Sequence, residues 1–219
     1  ENLAIGGAEH LEVRAGEHQV AADARLGGRQ TALDGVVARG GGAGDIEINR
    51  RFDPIARVAP AAGELADALR ELTHARDVAL VIESHILLVE RLGLDGVHLK
   101  DGARSVKKVR KDLGDDAIIG SFCGNSRHDG MTAGELGADY VSFGPVGATP
   151  LGDGRQAELE LFEWWSQMIE VPVVAEGALD SGLIRTLAPH TDFFGIGDEI
   201  WNTENPAKSL TALRSAMLG

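Results

Sequence analysis

From about residue 60 onward, two hydrophobic patterns alternate along this chain. Val78–Glu83 is an almost continuous apolar run. The stretch before it carries Leu65, Leu69 and Leu72 at intervals of about one helical turn. A short apolar run is typical of a strand buried on both faces, and the helical interval is typical of a helix packed on one side. The pattern therefore predicts strands and helices in alternation.

The same reading extends to the end of the chain. The predicted strands are Val78–Glu83, Gly96–Leu99, Ala117–Phe122, Tyr140–Val146, Pro172–Glu176 and Phe193–Gly197. The predicted helices are Ala61–Arg76, Ile86–Gly93, Ser105–Leu113, Arg127–Leu136, Glu158–Ile169, Ser181–Ala188 and Pro206–Leu218. Buried strands that are each followed by a helix predict a parallel sheet covered by helices.

The expected fold class is α/β, a (β/α)8 TIM barrel with an irregular N-terminal portion. Such a barrel needs eight strands, so the first two have to lie before residue 77 or be replaced there. A doubly wound open sheet is the alternative architecture. Nothing in the chain matches the Gly-x-Gly-x-x-Gly turn that would favour it.

The first part of the chain is patterned differently, which predicts a division into an N-terminal segment, 1–58, and a barrel body, 59–219. The segment holds ten of the 29 glycines, and its strand candidates are weak: Leu3–Ile5, Leu11–Val13 and Asp45–Ile48. It is a candidate source of the first two strands. Its composition fits loops, or a segment in a non-native reading frame, and the sequence does not choose between them.

Charge and cysteine content narrow the function classes. The 219 residues include 21 basic and 34 acidic side chains, a net charge of −13, which opposes binding to nucleic acid. No apolar stretch approaches the ~18 residues of a membrane span, and the chain does not begin with a signal-peptide pattern. The single cysteine, Cys123, excludes an internal disulfide framework, so we expect a cytoplasmic protein.

Candidate site residues follow from the fold, because ligand sites of parallel barrels lie at the carboxyl ends of the strands. No residue there presents itself as catalytic. Asp101, shortly after the second predicted strand, is the candidate metal ligand. The candidate ligand-binding residues are Glu83, His98, Lys100, Thr149, Glu176, Gly177 and Gly197.

Several motifs, in order along the chain, resemble one enzyme family. They are Asp95–Leu99, Gly137–Val146 with Thr149, Val171–Ala175 and the helix Glu163–Glu170. Together they are similar to thiamine phosphate synthase (thiamine-phosphate pyrophosphorylase), and the helix resembles the alphaproteobacterial form. The resemblance covers residues from about 61 to about 202.

The resemblance implies a (β/α)8 transferase of thiamine biosynthesis. Such an enzyme joins hydroxymethylpyrimidine diphosphate to a thiazole phosphate, giving thiamine phosphate and diphosphate. Departure of the diphosphate needs Mg²⁺ held by carboxylates and donors that stabilise the leaving charge. The implied partners are small-molecule thiamine precursors, and the implied cofactor, where the activity is retained, is Mg²⁺.

The chain departs from the family where Mg²⁺ would be bound. The family ends its third strand with an Asn-Asp pair whose aspartate binds the metal, and here the pair is Glu83-Ser84. The second metal-binding aspartate of the family aligns with Ala103, close to Asp101. The resemblance therefore implies that several active-site positions are replaced.

The groups that contact phosphates differ as well. The family lysine in the turn after strand six aligns with Gly152, and the double glycine that cradles the thiazole phosphate reads Glu176-Gly177-Ala178. The family serine and histidine at the end of strand five align with Phe122 and Gly124. We therefore expect synthase activity to be reduced or lost.

Three alternatives stay open. One is a non-catalytic barrel that binds a thiamine-related neutral or cationic ligand. Another is a paralogue of the thiazole tautomerases, which use a histidine after strand five; that position is Gly124, and His128 lies in the following helix. The third is a structural paralogue that associates with an active barrel. Trp164 is a candidate for a surface between protomers of a homo-oligomer.

Overall fold

The computed structural model of the protein describes residues 2–6, 11–14 and 69–218, with the side chains of residues 69–217. Its strands are β1 (Asn2–Gly6), β2 (Leu11–Arg14), β3 (Val81–Glu83), β4 (Gly96–Leu99), β5 (Ile118–Phe122), β6 (Tyr140–Phe143), β7 (Val173–Glu176) and β8 (Phe193–Ile196). Its helices are α1 (69–74, the described part), α2 (Ile86–Leu92), α3 (Val106–Leu113), α4 (Arg127–Glu135), α5 (Leu159–Met168), α6 (Ser181–Leu187), α7 (Asp198–Trp201) and α8 (Pro206–Leu218).

Strands β3 to β8 form a parallel sheet in which neighbours in the sheet are neighbours in the chain. A doubly wound sheet reverses its strand order at a switch point, and these six strands have no such reversal. The arrangement is that of a curled half-barrel. The α/β class and the six predicted strands are confirmed, and the complete (β/α)8 barrel stays a prediction.

The N-terminal strands differ from the expected barrel strands. Two of the weak candidates, Leu3–Ile5 and Leu11–Val13, fall within β1 and β2. These two strands form an antiparallel hairpin, and β1 also pairs antiparallel with β8. They therefore do not stand as the first two parallel strands of a barrel. The candidate Asp45–Ile48 and the predicted boundary at residue 58 lie outside the described residues.

Strand side chains alternate between two faces of the sheet, as the two-residue period requires. On β4 the residues Val97 and Leu99 join the hydrophobic core beneath the helices, and on β7 Val173 and Ala175 do the same. The intervening residues face the concave inner side of the sheet. Buried residues on that inner face are Val81, Glu83, His98, Phe122, Tyr140, Ser142, Val174 and Glu176.

Most predicted boundaries agree with the structure within one or two residues. The strand predicted from Val78 begins at Val81, and one other predicted strand ends three residues early. Gly93 ends α2 in the left-handed conformation, at φ 61°, as expected for a C-terminal glycine. The predicted strand Tyr140–Val146 ends at Phe143, because Pro145 has no N–H to continue the ladder. The short helix α7 was not predicted, since four residues give no helical period. Among the described helices, none has the length and apolar content required to cross a bilayer.

Candidate functional site at the carboxyl ends of the strands

The inner face of the sheet becomes polar toward the carboxyl ends of its strands. Glu83 and His98 are directly paired in register on β3 and β4. Glu176 ends β7 opposite Gly195 of β8. The structure thus places three of the predicted ligand-binding residues on one concave surface.

Glu83 and Lys100 form an ion pair across the ends of β3 and β4. The Glu83 side chain is 10% exposed, whereas the Lys100 side chain is 51% exposed. A lysine at this rim would otherwise attract a diphosphate, and the carboxylate largely neutralises it. The pair therefore contributes little net positive charge to the site.

His98 and Tyr140 form a buried pair that the sequence did not point to. Nδ1 of His98 lies 3.0 Å from Oη of Tyr140, and the two rings stack with centroids 5.6 Å apart. Tyr140 reaches His98 across the intervening strand β5. Its ring passes over Gly120, where a Cβ atom would overlap the ring. Gly120 is thus the residue that lets this pair form.

Asp101 lies outside the inner face and is already engaged. It is exposed, and its Oδ2 accepts a hydrogen bond of 2.6 Å from Oγ of Ser105. Ala103, which the resemblance predicts to stand at the family's second metal-binding position, is buried in the core beneath the helices. Its side chain therefore faces away from the mouth of the half-barrel.

These residues do not fit a Mg²⁺ site. Glu83 is paired with Lys100, and Asp101 is bonded to Ser105. Within residues 2–6, 11–14 and 69–218 no three His, Cys, Asp or Glu side chains are grouped so that they could hold a metal ion. Mg²⁺ is usually held by one or two carboxylates together with waters and substrate phosphates, and both nearby carboxylates, Glu83 and Asp101, are already engaged in other contacts.

Glu176 is the most deeply placed carboxylate of the site, with 3% of its surface exposed. Its side chain lies between Gly144 and Gly195, and a Cβ atom at Gly195 would stand 2.9 Å from Cβ of Glu176. Oε1 is buried and has no hydrogen-bond partner among the described residues. An unpaired buried carboxylate costs on the order of several kcal/mol.

Arg155, in the loop after β6, pairs with Asp153 and not with Glu176. Its Nε and Nη2 contact Oδ2 of Asp153 at 2.7 and 2.6 Å. Contact with Asp153 raises the pKa of Arg155, and the same contact lowers the pKa of Asp153. No ion pair of Glu176 is found among the described residues.

Ser142 is a further polar group of the inner face that sequence reasoning missed. It is fully buried on β6, and its Oγ has no hydrogen-bond partner among the described residues. It is the only polar residue in the run Tyr140–Phe143 besides the tyrosine, and it alternates with core-facing Val141 and Phe143. That alternation, applied to β6, was the signal that could have found it.

A carboxylate occupies the backbone donors that follow β7 and β8. Oε1 of Glu199 accepts the N–H of Leu179 at 3.0 Å, and Oε2 accepts the N–H of Gly197 at 2.7 Å. Gly177 and Ala178, between β7 and Leu179, both have positive φ, at 93° and 55°. Gly197 was predicted as a ligand-binding residue, but its N–H is bound by the chain's own Glu199.

The loop after β6 covers the inner face from above. It carries Thr149, which is half-buried and whose side chain makes no hydrogen bond to another described residue. Farther along, Gly152 lies against the ring of Phe122, and Leu151 lies against Gly177. The loop therefore bridges the ends of β5 and β7.

The end of β5 offers no catalytic acid or base. Gly124 stands there at φ 57°, and His128 is exposed on α4. Burial raises the pKa of the Cys123 thiol to about 12, so the thiolate that a nucleophile requires is disfavoured.

Comparisons with known proteins point in one direction. A family model described as thiamine monophosphate synthase matches residues 58–191. The chain is 41% identical over 150 residues to a thiamine-phosphate synthase of Erythrobacter litoralis, covering 67% of this chain and 70% of that one. It is 36% identical over 156 residues to one of Rhodospirillum centenum, covering 70% and 75%.

A solved structure supports the fold. The chain resembles a thiamine phosphate pyrophosphorylase from Pyrococcus furiosus with a TM-score of 0.64 and 24% identity, covering 71% of this chain and 75% of that one. At this identity the likeness concerns the fold alone.

Proposed function

Because the chain belongs to the thiamine monophosphate synthase family, we propose that it acts on small-molecule thiamine precursors at the carboxyl ends of β3 to β8. The proposed reaction breaks the bond between the pyrimidine methylene carbon and diphosphate. It forms a bond from that carbon to the thiazole nitrogen. We propose further that this transfer runs far more slowly than in the curated relatives.

The Glu83–Lys100 ion pair is the observation that most favours a slow transfer. A leaving diphosphate is stabilised by positive charge that is already in place. Lys100 follows the end of β4, and its charge is balanced by Glu83. Gly152 stands where the family has a second cation, so the described mouth has little net positive charge to offer.

A dependence on Mg²⁺ belongs to this proposal as an expectation taken from the family. The metal would supply the charge stabilisation that the diphosphate requires. Glu83 and Asp101 are its nearest candidate ligands, and their present contacts do not fit a metal site. No step of the proposed reaction is therefore assigned to a metal. A cytoplasmic location also stays a proposal, which the lone Cys123 supports.

A single-turnover experiment tests whether the transfer occurs at all. The protein, in excess over hydroxymethylpyrimidine diphosphate and thiazole phosphate, is incubated with Mg²⁺, and thiamine phosphate is sought by mass spectrometry. We expect product that requires both substrates and is absent with heat-denatured protein. Complete absence of product after prolonged incubation, with the protein still folded, contradicts a synthase reaction.

A second candidate function is binding without turnover, and Glu176 favours it. A buried carboxylate with an unpaired oxygen suits a cationic ligand better than a phosphate. The tautomerase alternative has less support, because Gly124 stands where the required histidine would be and His128 is exposed on α4.

A further inference from the structure

The ends of β6, β7 and β8 form a small subsite in which buried oxygens face inward. Ser142 and Glu176 lie on adjacent parallel strands, and Ser142 pairs in register with Val174, two residues before Glu176. Both side chains therefore project from the same face of the sheet, and Glu176 lies two residues farther along the strand direction than Ser142. Oγ of Ser142 and Oε1 of Glu176 are buried and have no hydrogen-bond partner among the described residues.

Glycines on either side bring backbone, and no polar side chain, against this carboxylate. Gly144 and Gly195 flank the Glu176 side chain, and neither carries a side chain that could bond to it. Arg155 is engaged with Asp153. Burying a carboxylate without a counter-charge costs free energy, and the described residues supply no counter-charge to Glu176. A positively charged ligand group would therefore stabilise it.

The same end of the sheet is unsuited to a phosphate. Backbone N–H groups at strand ends are the donors that would hold one. Two of them, on Leu179 and Gly197, already donate to the carboxylate of Glu199. A phosphate would have to displace this carboxylate and then lie near Glu176. Displacing the Glu199 carboxylate and lying near the Glu176 carboxylate both disfavour the binding of an anion.

We propose that this subsite selects a compact organic cation without a phosphate group, such as a thiazolium or a protonated aminopyrimidine. Glu176 is its specificity-determining residue, and Ser142 contributes a hydroxyl beside it. Glu199 keeps the neighbouring backbone donors from an anionic ligand. Access requires displacement of the loop between β6 and α5, whose residues 152–156 are exposed. The choice of thiamine-related ligands, though not the charge selectivity, rests on the second candidate function, binding without turnover.

Calorimetric titration with thiamine and with thiazole phosphate tests this selectivity. The wild type is expected to bind thiamine at least about tenfold more tightly than the phosphate, since a charge interaction of this kind readily exceeds a factor of ten. Glu176→Gln keeps the shape and should lose at least about tenfold in thiamine affinity. Glu199→Ala should gain affinity for the phosphate by a similar factor. Glu204→Gln removes an exposed charge just after α7, and should change neither affinity more than about twofold.

Preference of the wild type for thiazole phosphate, or an unchanged preference in Glu176→Gln, overturns the inference. Circular dichroism melting of each variant shows whether it is folded. Tetramethylammonium shares only its positive charge with thiamine, and inorganic phosphate shares only its negative charge with thiazole phosphate. These two probes therefore separate the proposed charge selectivity from the proposed function. If tetramethylammonium binds through Glu176 and no thiamine-related molecule does, the proposed function fails and the subsite stands. If neither cation binds the wild type, the subsite is wrong.

Discussion

His85 shows how a single side chain couples the site to pH. It precedes α2, its Nδ1 lies 2.7 Å from the carbonyl oxygen of Glu83, and its Nε2 is buried with no hydrogen-bond partner among the described residues. Burial lowers the pKa of His85 below the ordinary value of a histidine. The folded protein therefore favours the neutral ring, with the proton on the nitrogen that faces the carbonyl.

We predict that this histidine makes the fold less stable in mild acid. Below pH 6.5 the unfolded chain binds a proton that the folded chain binds only at lower pH, so the free energy of unfolding falls as the pH drops through that interval. Urea midpoints at pH 7.5 and pH 5.5 measure the loss. His85→Gln, which retains a donor for the Glu83 carbonyl, should lose less stability between the two pH values than the wild type does. An equal loss in both proteins means that other groups account for the acid sensitivity.

At the scale of elements, the register of β4, β5 and β6 builds the inner face. His98, Gly120 and Tyr140 are consecutive partners across these three strands. The glycine in the middle strand leaves the space that the tyrosine ring fills. One missing side chain thereby allows a contact between residues 42 positions apart.

We predict that Gly120→Ala destabilises the fold by about 1–3 kcal/mol, the usual cost of forcing a larger side chain into a packed interior. The added methyl group overlaps the Tyr140 ring, so the ring must move away from His98. Chemical denaturation measures the change. The control is the double variant Gly120→Ala/Tyr140→Ala compared with Tyr140→Ala alone, because without the ring the added methyl group should cost little. If Gly120→Ala costs as much in the Tyr140→Ala background as in the wild type, the effect belongs to the backbone of β5 instead.

The whole molecule shows what a single sequence can and cannot specify. The six parallel strands could be predicted because each is a short apolar run followed by a helical period. Glu83, His98 and Glu176 could be placed in the site because strand ends converge in a parallel sheet. The hairpin orientation of β1 and β2 could not be predicted, since residues 1–58 have no regular hydrophobic period.

Other site residues depend on contacts that sequence spacing does not encode. Glu199 reaches back to the N–H of Leu179, 20 residues earlier, and only the packed ends of β7 and β8 bring them together. Lys100 was predicted as a ligand-binding residue, and its pairing with Glu83 became visible only in the structure.

We propose that this family member lacks the positive charge and the metal ligands that make diphosphate departure fast. Steady-state turnover with both substrates, over a range of Mg²⁺ concentrations and beside the Erythrobacter litoralis synthase, tests it most directly. Removal of one electrostatic group commonly costs about 10²–10³ in rate, so we predict turnover at least about 100-fold below that of the relative. Turnover equal to that of the relative at every Mg²⁺ concentration would contradict the claim.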